Sequence, residues 1–287
     1  MTDMTASCIV CSGKGRVRYR KEMACYWECA ACGLLYQHPL PAASDMQRFA
    51  DGEYTGGVYQ EYVRARDLKY ATFERRLAAV RRYVPGGRLL DVGCACGYLV
   101  DVALAGGYDA HGVEFSPAAI AQASARARPR ILEGNVDELD LTTLGAFDVV
   151  TAFDIVEHSL EPLKFLARLH DLLRVGGWLA LTTPDAGHGL RYVMGKRWPM
   201  LQPLQHTFVF SQKSLRTALT RAGLEPHAAE PARKCVTIDY LARQIASHNP
   251  ALHAIYRGMA PLLPVALRRH AFQVNIGEMM VLARRAS

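Results

Sequence analysis

The chain has 287 residues, half of them apolar and 21% charged, enough for two units of about 150 residues or one large domain with an appendage. That mix excludes a disordered, collagenous or disulfide-stapled chain. No apolar run approaches the roughly 18 residues of a membrane helix, Met1–Val10 lacks the charged start and apolar stretch of a signal peptide, and a cytoplasmic protein is expected; the formal charge of +7 favours anionic partners without naming one.

The first element is chemical rather than secondary-structural. Cys8, Cys11, Cys29 and Cys32 form two C-x-x-C pairs separated by seventeen residues, the spacing that presents four thiolates to one tetrahedral Zn²⁺ while the intervening chain forms a hairpin. Residues 1–40 are therefore expected to be a zinc ribbon, a segment too short to fold without such a staple. After His38-Pro39-Leu40-Pro41, residues 41–87 form a helical linker or cap, with Phe49, Tyr62, Leu68, Phe73, Leu77 and Val80 at helical intervals. Its basic group, Arg75, Arg76, Arg81 and Arg82, is diluted by Glu61, Asp67 and Glu74 and reads as a solvated helix face.

From Arg88, short apolar strands alternate with amphipathic helices, the pattern of a parallel sheet covered on both faces. Strands are expected near 88–92, 110–114, 130–133, 147–152 and 177–182, and helices near 98–106, 117–127, 161–174 and 212–222. The alternation then breaks: 236–271 reads as a helical insertion carrying Tyr240, Leu241, Ile245, Ile255, Met259, Leu262 and Leu263, and Phe272–Ala283 returns to strand character. The insertion reads as a lid over a substrate, a homodimer contact or plain packing on the sheet.

The stretch Leu89-Leu90-Asp91-Val92-Gly93-Cys94-Ala95-Cys96-Gly97 is a buried strand, an acid near its end and a glycine turn into a helix. Glycine there implies a close backbone approach or a positive φ, and the free N–H groups of a helix start favour an anion. Three residues between the glycines do not fit the G-x-G-x-x-G loop of dinucleotide binding.

This stretch resembles motif I of the class I S-adenosylmethionine-dependent methyltransferases. Four further stretches in order resemble that family: His111-Gly112-Val113-Glu114-Phe115, Glu133-Gly134-Asn135-Val136, Phe147–Asp154, and Leu172–Leu181 with its L-L-x-x-G-G-x-L pattern. The resemblance implies an α/β fold, Rossmann-like, with a mostly parallel seven-stranded sheet and helices on both faces, in residues 88–287, beside the small ribbon. It implies S-adenosylmethionine as cofactor, held by Asp91, Gly93, Cys94, Gly97, Glu114, Phe115, Asn135, Val136 and Phe153, with Glu114 accepting from the ribose hydroxyls; Phe115 stacks on adenine or fills the core. Cys8, Cys11, Cys29 and Cys32 with the closing strand at 275–281 are similar to a bacterial subgroup with a zinc-binding head.

Methyl transfer to a hydroxyl needs a general base near the cofactor. Asp154, Glu157 and His158 fall at i, i+3 and i+4, one face if the segment is helical, and could supply a base or a second, divalent metal site. The run is similar to the E-x-x-E-H segment of ubiquinone-type O-methyltransferases, with Asp154 in place of the first Glu. His206 is a second candidate base, and Tyr192, Met194 and Trp198 are candidate pocket walls. The expected activity is methylation of a small molecule or glycan precursor, on oxygen before nitrogen or carbon. Two other readings stand beside it: an RNA methyltransferase whose ribbon grips nucleic acid through Tyr19, Tyr26 and Trp27 among Arg16, Arg18 and Arg20, and a non-catalytic interaction protein. Nucleic acid is disfavoured because Thr151-Ala152-Phe153-Asp154 lacks the signature of base-amine methylation.

Overall fold

The structure, a computed structural model, describes residues 6–55, 57–246 and 250–286. The first five residues of the expected ribbon and the side chain of Ile245 lie outside the described residues.

The N-terminal segment forms three antiparallel strands, β1 (Gly15–Lys21), β2 (Ala24–Cys29) and β3 (Leu35–Gln37). The helical stretch resolves into α1 (Ala43–Thr55), α2 (Gly57–Arg64) and α3 (Arg66–Arg81). Alternation follows with β4 (Arg88–Val92), α4 (Tyr98–Ala105), β5 (Asp109–Glu114), α5 (Pro117–Ile120), β6 (Ile131–Glu133), β7 (Phe147–Phe153), α6 (Pro162–Leu172) and β8 (Leu173–Pro184). Then come α7 (Gly189–Met194), β9 (Phe208–Val209), α8 (Gln212–Arg221) and β10 (Leu224–Pro231). After β11 (Lys234–Val236) the insertion carries α9 (Ile238–Ala246), α10 (Pro250–Met259) and α11 (Val265–Arg269); β12 (Phe272–Val274) follows it, and β13 (Glu278–Arg285) is the last strand.

The main sheet has seven strands in the order β10-β13-β8-β7-β4-β5-β6. β13 is antiparallel to both neighbours, and the pairs from β8 to β6 are parallel. Parallel strands covered on both faces lose the alternation of a half-solvated sheet: all residues of β7 except Asp148 are buried. The chain winds outward from β4 through β5 to β6, then crosses back to β7 and on to β8. The crevice at the carboxyl ends of β4 and β7 is thus the switch point where such sheets bind ligands.

Three differences from the expectation have local causes. The helix expected over 117–127 stops at Ile120, because the Ser124 hydroxyl accepts from the Ala127 amide (3.1 Å) and the Arg128 guanidinium bonds the Ala121 carbonyl, side-chain bonds that replace the helical ladder. The strand expected over 272–283 is two strands: Asn275 Oδ1 accepts from the amides of Gly277 and Glu278, each at 2.9 Å, and this turn leaves β12 paired with β11 while β13 enters the main sheet. The ribbon's sheet has a fourth strand, β9, which pairs Leu35 with Val209 and Tyr36 with Phe208.

That fourth strand makes the seam between ribbon and body apolar. Tyr26 and Leu35 pack with Ala186, Trp198, Leu201 and Val209 in one buried cluster. Trp198 is fully buried there, so it is core rather than the expected pocket wall, whereas Tyr192 and Met194 are exposed on α7. Each such large side chain contributes roughly 1.5–3 kcal/mol by its burial. Tyr26 and Trp27 are buried as well, which removes them from any stacking surface for nucleic acid.

Candidate functional site

At the end of β4 the backbone turns through Gly93 (φ +70°), Ala95 (φ +48°) and Gly97 (φ +65°), all left-handed. Glycine is required at 93 for its φ and because a Cβ would fall 2.3 Å from Ile155 Cδ1, so the close approach the sequence implied is made here by the turn after β7. Ala95 holds the same conformation with a side chain, and it is pinned: its amide donates to Glu114 Oε2 (2.8 Å). The other carboxylate oxygen of Glu114 accepts from the Ser116 amide (2.9 Å). A buried carboxylate held by two amides is fixed in direction.

The remaining predicted cofactor residues line the same edge. Asp91 is buried, accepts from the Thr151 hydroxyl (2.7 Å) and is pushed up to about 7 by burial. Cys94 packs against Gly112, where a Cβ would lie 2.5 Å from its sulfur, which explains both small residues. Phe115 is 45% exposed and so is not core filler. Asn135 Oδ1 accepts from the Asp137 amide (3.1 Å), an Asx turn at the surface. Val136 and Phe153 are buried, Val136 with its carbonyl accepting from Arg168 Nε (3.1 Å).

The polar run after β7 does not share one face. Asp154 stands alone at φ +61°, and only Val156–His158 form a short 3-10 turn. The Asp154 amide donates to the Thr182 carbonyl (2.9 Å), and its carboxylate accepts from the Thr182 hydroxyl (2.6 Å) and lies 3.4 Å from Arg76 Nη2 and 3.5 Å from Lys234 Nζ. Burial would raise this carboxyl, but Lys234 and Arg76 hold it well below the usual range. Arg76, expected on a solvated face, is 5% exposed: its guanidinium lies over the Phe153 ring at 4.9 Å and its charge is met by Asp154 and, at 3.8 Å, Glu278.

Glu157 and His158 turn the other way, toward His206, and ligand atoms of the three lie within 4.8 Å of one another. His158 Nδ1 donates to the Gln205 carbonyl (3.1 Å) and His206 Nδ1 to the Met200 carbonyl (2.7 Å), which fixes each tautomer and leaves each Nε2 with a lone pair. The rings meet edge to face at 5.1 Å. Burial lowers both imidazoles, and with His158 beside it His206 falls to about 3. Burial and the neighbouring Asp154 push Glu157 well up, and among the described residues its Oε2 has no hydrogen-bond partner.

This cluster is braced from the ribbon. Gln37 on β3 donates its backbone amide to the Thr207 carbonyl (2.9 Å) and its side-chain amide to the His206 carbonyl (3.1 Å). Thr207 in turn donates its amide (3.0 Å) and hydroxyl (3.1 Å) to the Glu157 carbonyl. Further along, Ser211 Oγ donates to the Cys32 carbonyl (2.6 Å). The four ribbon sulfurs converge within 4.8 Å, with Cys8 to Cys32 at 3.7 Å and Cys11 to Cys29 at 3.4 Å. A tetrahedron of thiolates about 2.3 Å from zinc has edges of about 3.8 Å, so the sulfur set fits that ion.

A doubly wound sheet with a glycine turn at its switch point and a fixed acid at the end of the next strand defines an α/β enzyme that binds a nucleoside cofactor. The model of a methyltransferase domain matches residues 59–229, well over half of the chain, and the chain belongs to that family, the class I S-adenosylmethionine-dependent methyltransferases. It is similar to a ubiquinone biosynthesis O-methyltransferase of Cereibacter sphaeroides, 31% identical over 54% of this chain and 67% of that one. It is also similar to a protein of the same name from Paraburkholderia phymatum, 30% identical over 35% of this chain and 46%, under half, of that one. The fold matches the Burkholderia thailandensis 1,6-didemethyltoxoflavin-N1-methyltransferase with bound 1,6-didemethyltoxoflavin and S-adenosylhomocysteine, at a TM-score of 0.53 and 16% identity, over 95% of this chain and all of that one. Among the described residues no helix is long and apolar enough to cross a membrane.

Proposed function

We propose that the protein methylates an oxygen of a small-molecule acceptor, with His158 as general base. The observation that carries this reading is the His158 ring: neutral, fixed by its Nδ1 bond to the Gln205 carbonyl, and placed just past the end of β7, where the turn at Ile155 packs against Gly93 of the cofactor loop. The name of the two relatives, O-methyltransferase, supports oxygen as acceptor. Bound S-adenosylmethionine supplies an electrophilic methyl group. The protein's part is to hold the ribose on Glu114, the adenine beside Phe115 and Val136, and the methionine end against Asp91 and the Gly93–Gly97 turn, and to take the acceptor's proton at His158 Nε2. His206 supports that ring from its edge, and Asp154 fixes the turn that presents it. The insertion at 236–271 forms the lid: α9 is tied to α2 by Arg243 to Glu61 (2.9 Å), and Lys234, just before the insertion on β11, lies 3.5 Å from Asp154.

In this reading residues 1–40, 41–87 and 88–287 are a ribbon, a cap and the catalytic body, and Cys8, Cys11, Cys29 and Cys32 hold a structural zinc. A second reading is favoured by the unpartnered Glu157 Oε2: Glu157, His158 and His206 hold a divalent cation that orients the acceptor. Transfer of labelled methyl to a panel of hydroxylated acceptors tests the first reading. His158→Gln is expected to lower kcat by about 10²-fold or more with cofactor affinity unchanged. An unaltered kcat removes His158 as base, and activity abolished by a chelator and restored by Mg²⁺ with the ribbon zinc intact selects the second reading.

A further inference from the structure

The insertion and the strand after it carry positive charge with nothing to offset it. Residues 240–277 hold four arginines, Arg243, Arg257, Arg268 and Arg269, and neither an aspartate nor a glutamate, so more than half of the chain's formal excess of +7 falls in this one stretch. Two of the four hold the fold: Arg243 reaches Glu61 of α2 at 2.9 Å and Arg268 reaches Asp239 of α9 at 3.1 Å. Arg257 and Arg269 are exposed and join no ion pair among the described residues.

The contacts that hold the insertion together are polar. The Asp239 carboxylate accepts from the Tyr256 hydroxyl of α10 and from Arg268 of α11, and His253 Nδ1 donates to the Ala242 carbonyl (2.9 Å), so α10 and α11 are both fastened to α9. The aliphatic side chains take no part in this. Ile255, Met259, Leu262, Val265 and Leu267 are between 51% and 83% exposed. Ile255 and Met259 lie four residues apart on α10 and share a stripe, and the other three follow within eight residues. Packing on the sheet would bury them. Five aliphatic side chains turned outward in so short a stretch mark a surface that something covers.

Charge decides the occupant. A second copy would bring like charges against each other, and nucleic acid would find no exposed aromatic ring to stack on between residues 255 and 267. Aliphatic side chains interspersed with arginine fit the boundary of an anionic bilayer, where the former enter among the acyl chains and the latter stay at the phosphates. α10 has 10 residues and α11 has 5, with Pro261 and Pro264 between them, so neither approaches the roughly 20 residues of a span and the contact is with the surface. We infer that residues 255–269 dock the protein onto a membrane containing anionic phospholipid. This goes beyond methyl transfer and does not depend on which atom receives the methyl group.

The test is sedimentation of the full chain with vesicles of phosphatidylcholine alone and with vesicles in which about a third of the lipid is phosphatidylglycerol. The natural protein should partition onto the anionic vesicles about 20-fold more strongly, since each arginine near such a surface contributes about fivefold, and the preference should shrink as salt rises. Arg257→Gln with Arg269→Gln should remove most of the preference, and Leu262→Ser with Leu267→Ser should weaken binding to the anionic vesicles by about tenfold or more. No binding, equal binding to both vesicles, or a preference unchanged in both double variants overturns the inference. So does a dimer in light scattering that Leu262→Ser with Leu267→Ser dissociates, because the patch would then join two copies. Hydrogen exchange on the natural protein reads the same contact without a variant: anionic vesicles should slow exchange in residues 255–269. Protection confined to other segments, or protection of this one by duplex RNA and not by vesicles, overturns the inference. Because binding is read without turnover, failure of the proposed methyl transfer would leave this result standing.

Discussion

The two walls of the crevice are built differently. The proposed cofactor wall is nearly continuous in sequence: Asp91, Gly93, Gly97, Glu114 and Asn135 follow one another along β4, β5, β6 and their turns, and the bonds that shape it join near neighbours, such as Ala95 to Glu114. The proposed acceptor wall draws on segments from the whole chain. Gln37 from the ribbon holds His206 and Thr207, Thr207 holds Glu157, and Arg76, Lys234 and Glu278 surround Asp154. A wall made of local turns forms wherever its strands form, whereas a wall made of distant contacts depends on every part that braces it.

The largest expected effect separates the walls. If the four ribbon cysteines hold zinc as proposed, removing it by a chelator or by Cys29→Ser should abolish methyl transfer, since a structural zinc contributes folding energy outright, while S-adenosylhomocysteine affinity stays within about threefold. Elemental analysis of the intact protein should give one zinc per chain; equal loss of both functions would show that the walls are not separable. On the cofactor side, Glu114→Ala should raise the dissociation constant for S-adenosylhomocysteine about 100-fold, the sum of two hydrogen bonds to a charged acceptor, as measured by calorimetry. Gly93→Ala should lower stability by about 1–2 kcal/mol through its left-handed φ, visible as a lower Tm.

The smallest effect is a pH dependence. Burial leaves Asp91 at about 7, and a cationic ligand favours its ionised form. Below that pH, binding must expel a proton. S-adenosylmethionine affinity should therefore fall by about tenfold between pH 8 and pH 6, and Asp91→Asn should flatten the profile. A flat profile in the natural protein would mean that Asp91 does not face the cofactor's positive charge.

The same contrast explains what could be read from the chain. The strands β4 to β8 and the turns that carry the proposed cofactor wall are legible because their signals are contiguous: buried runs, glycines at a turn, an acid at a strand end. The edge strand β10 is not, because its exposed positions alternate and Pro226 and Pro231 mask it. The sequence sets Arg76 on a solvated face because helical spacing locates a residue on a helix but does not reveal what packs against it; β11, more than 150 residues later in the chain, covers that face. Spacing alone groups Asp154 with Glu157 and His158, but its left-handed φ, held by Thr182, turns it away from them.

A crystal structure of the protein with S-adenosylhomocysteine is the most direct test of where the cofactor lies. The ribose hydroxyls should both reach the Glu114 carboxylate, with the homocysteine end against Gly93 and Asp91 and the adenine between Phe115 and Val136. A nucleoside bound elsewhere, or a ribose that does not touch Glu114, would contradict the assignment of this crevice.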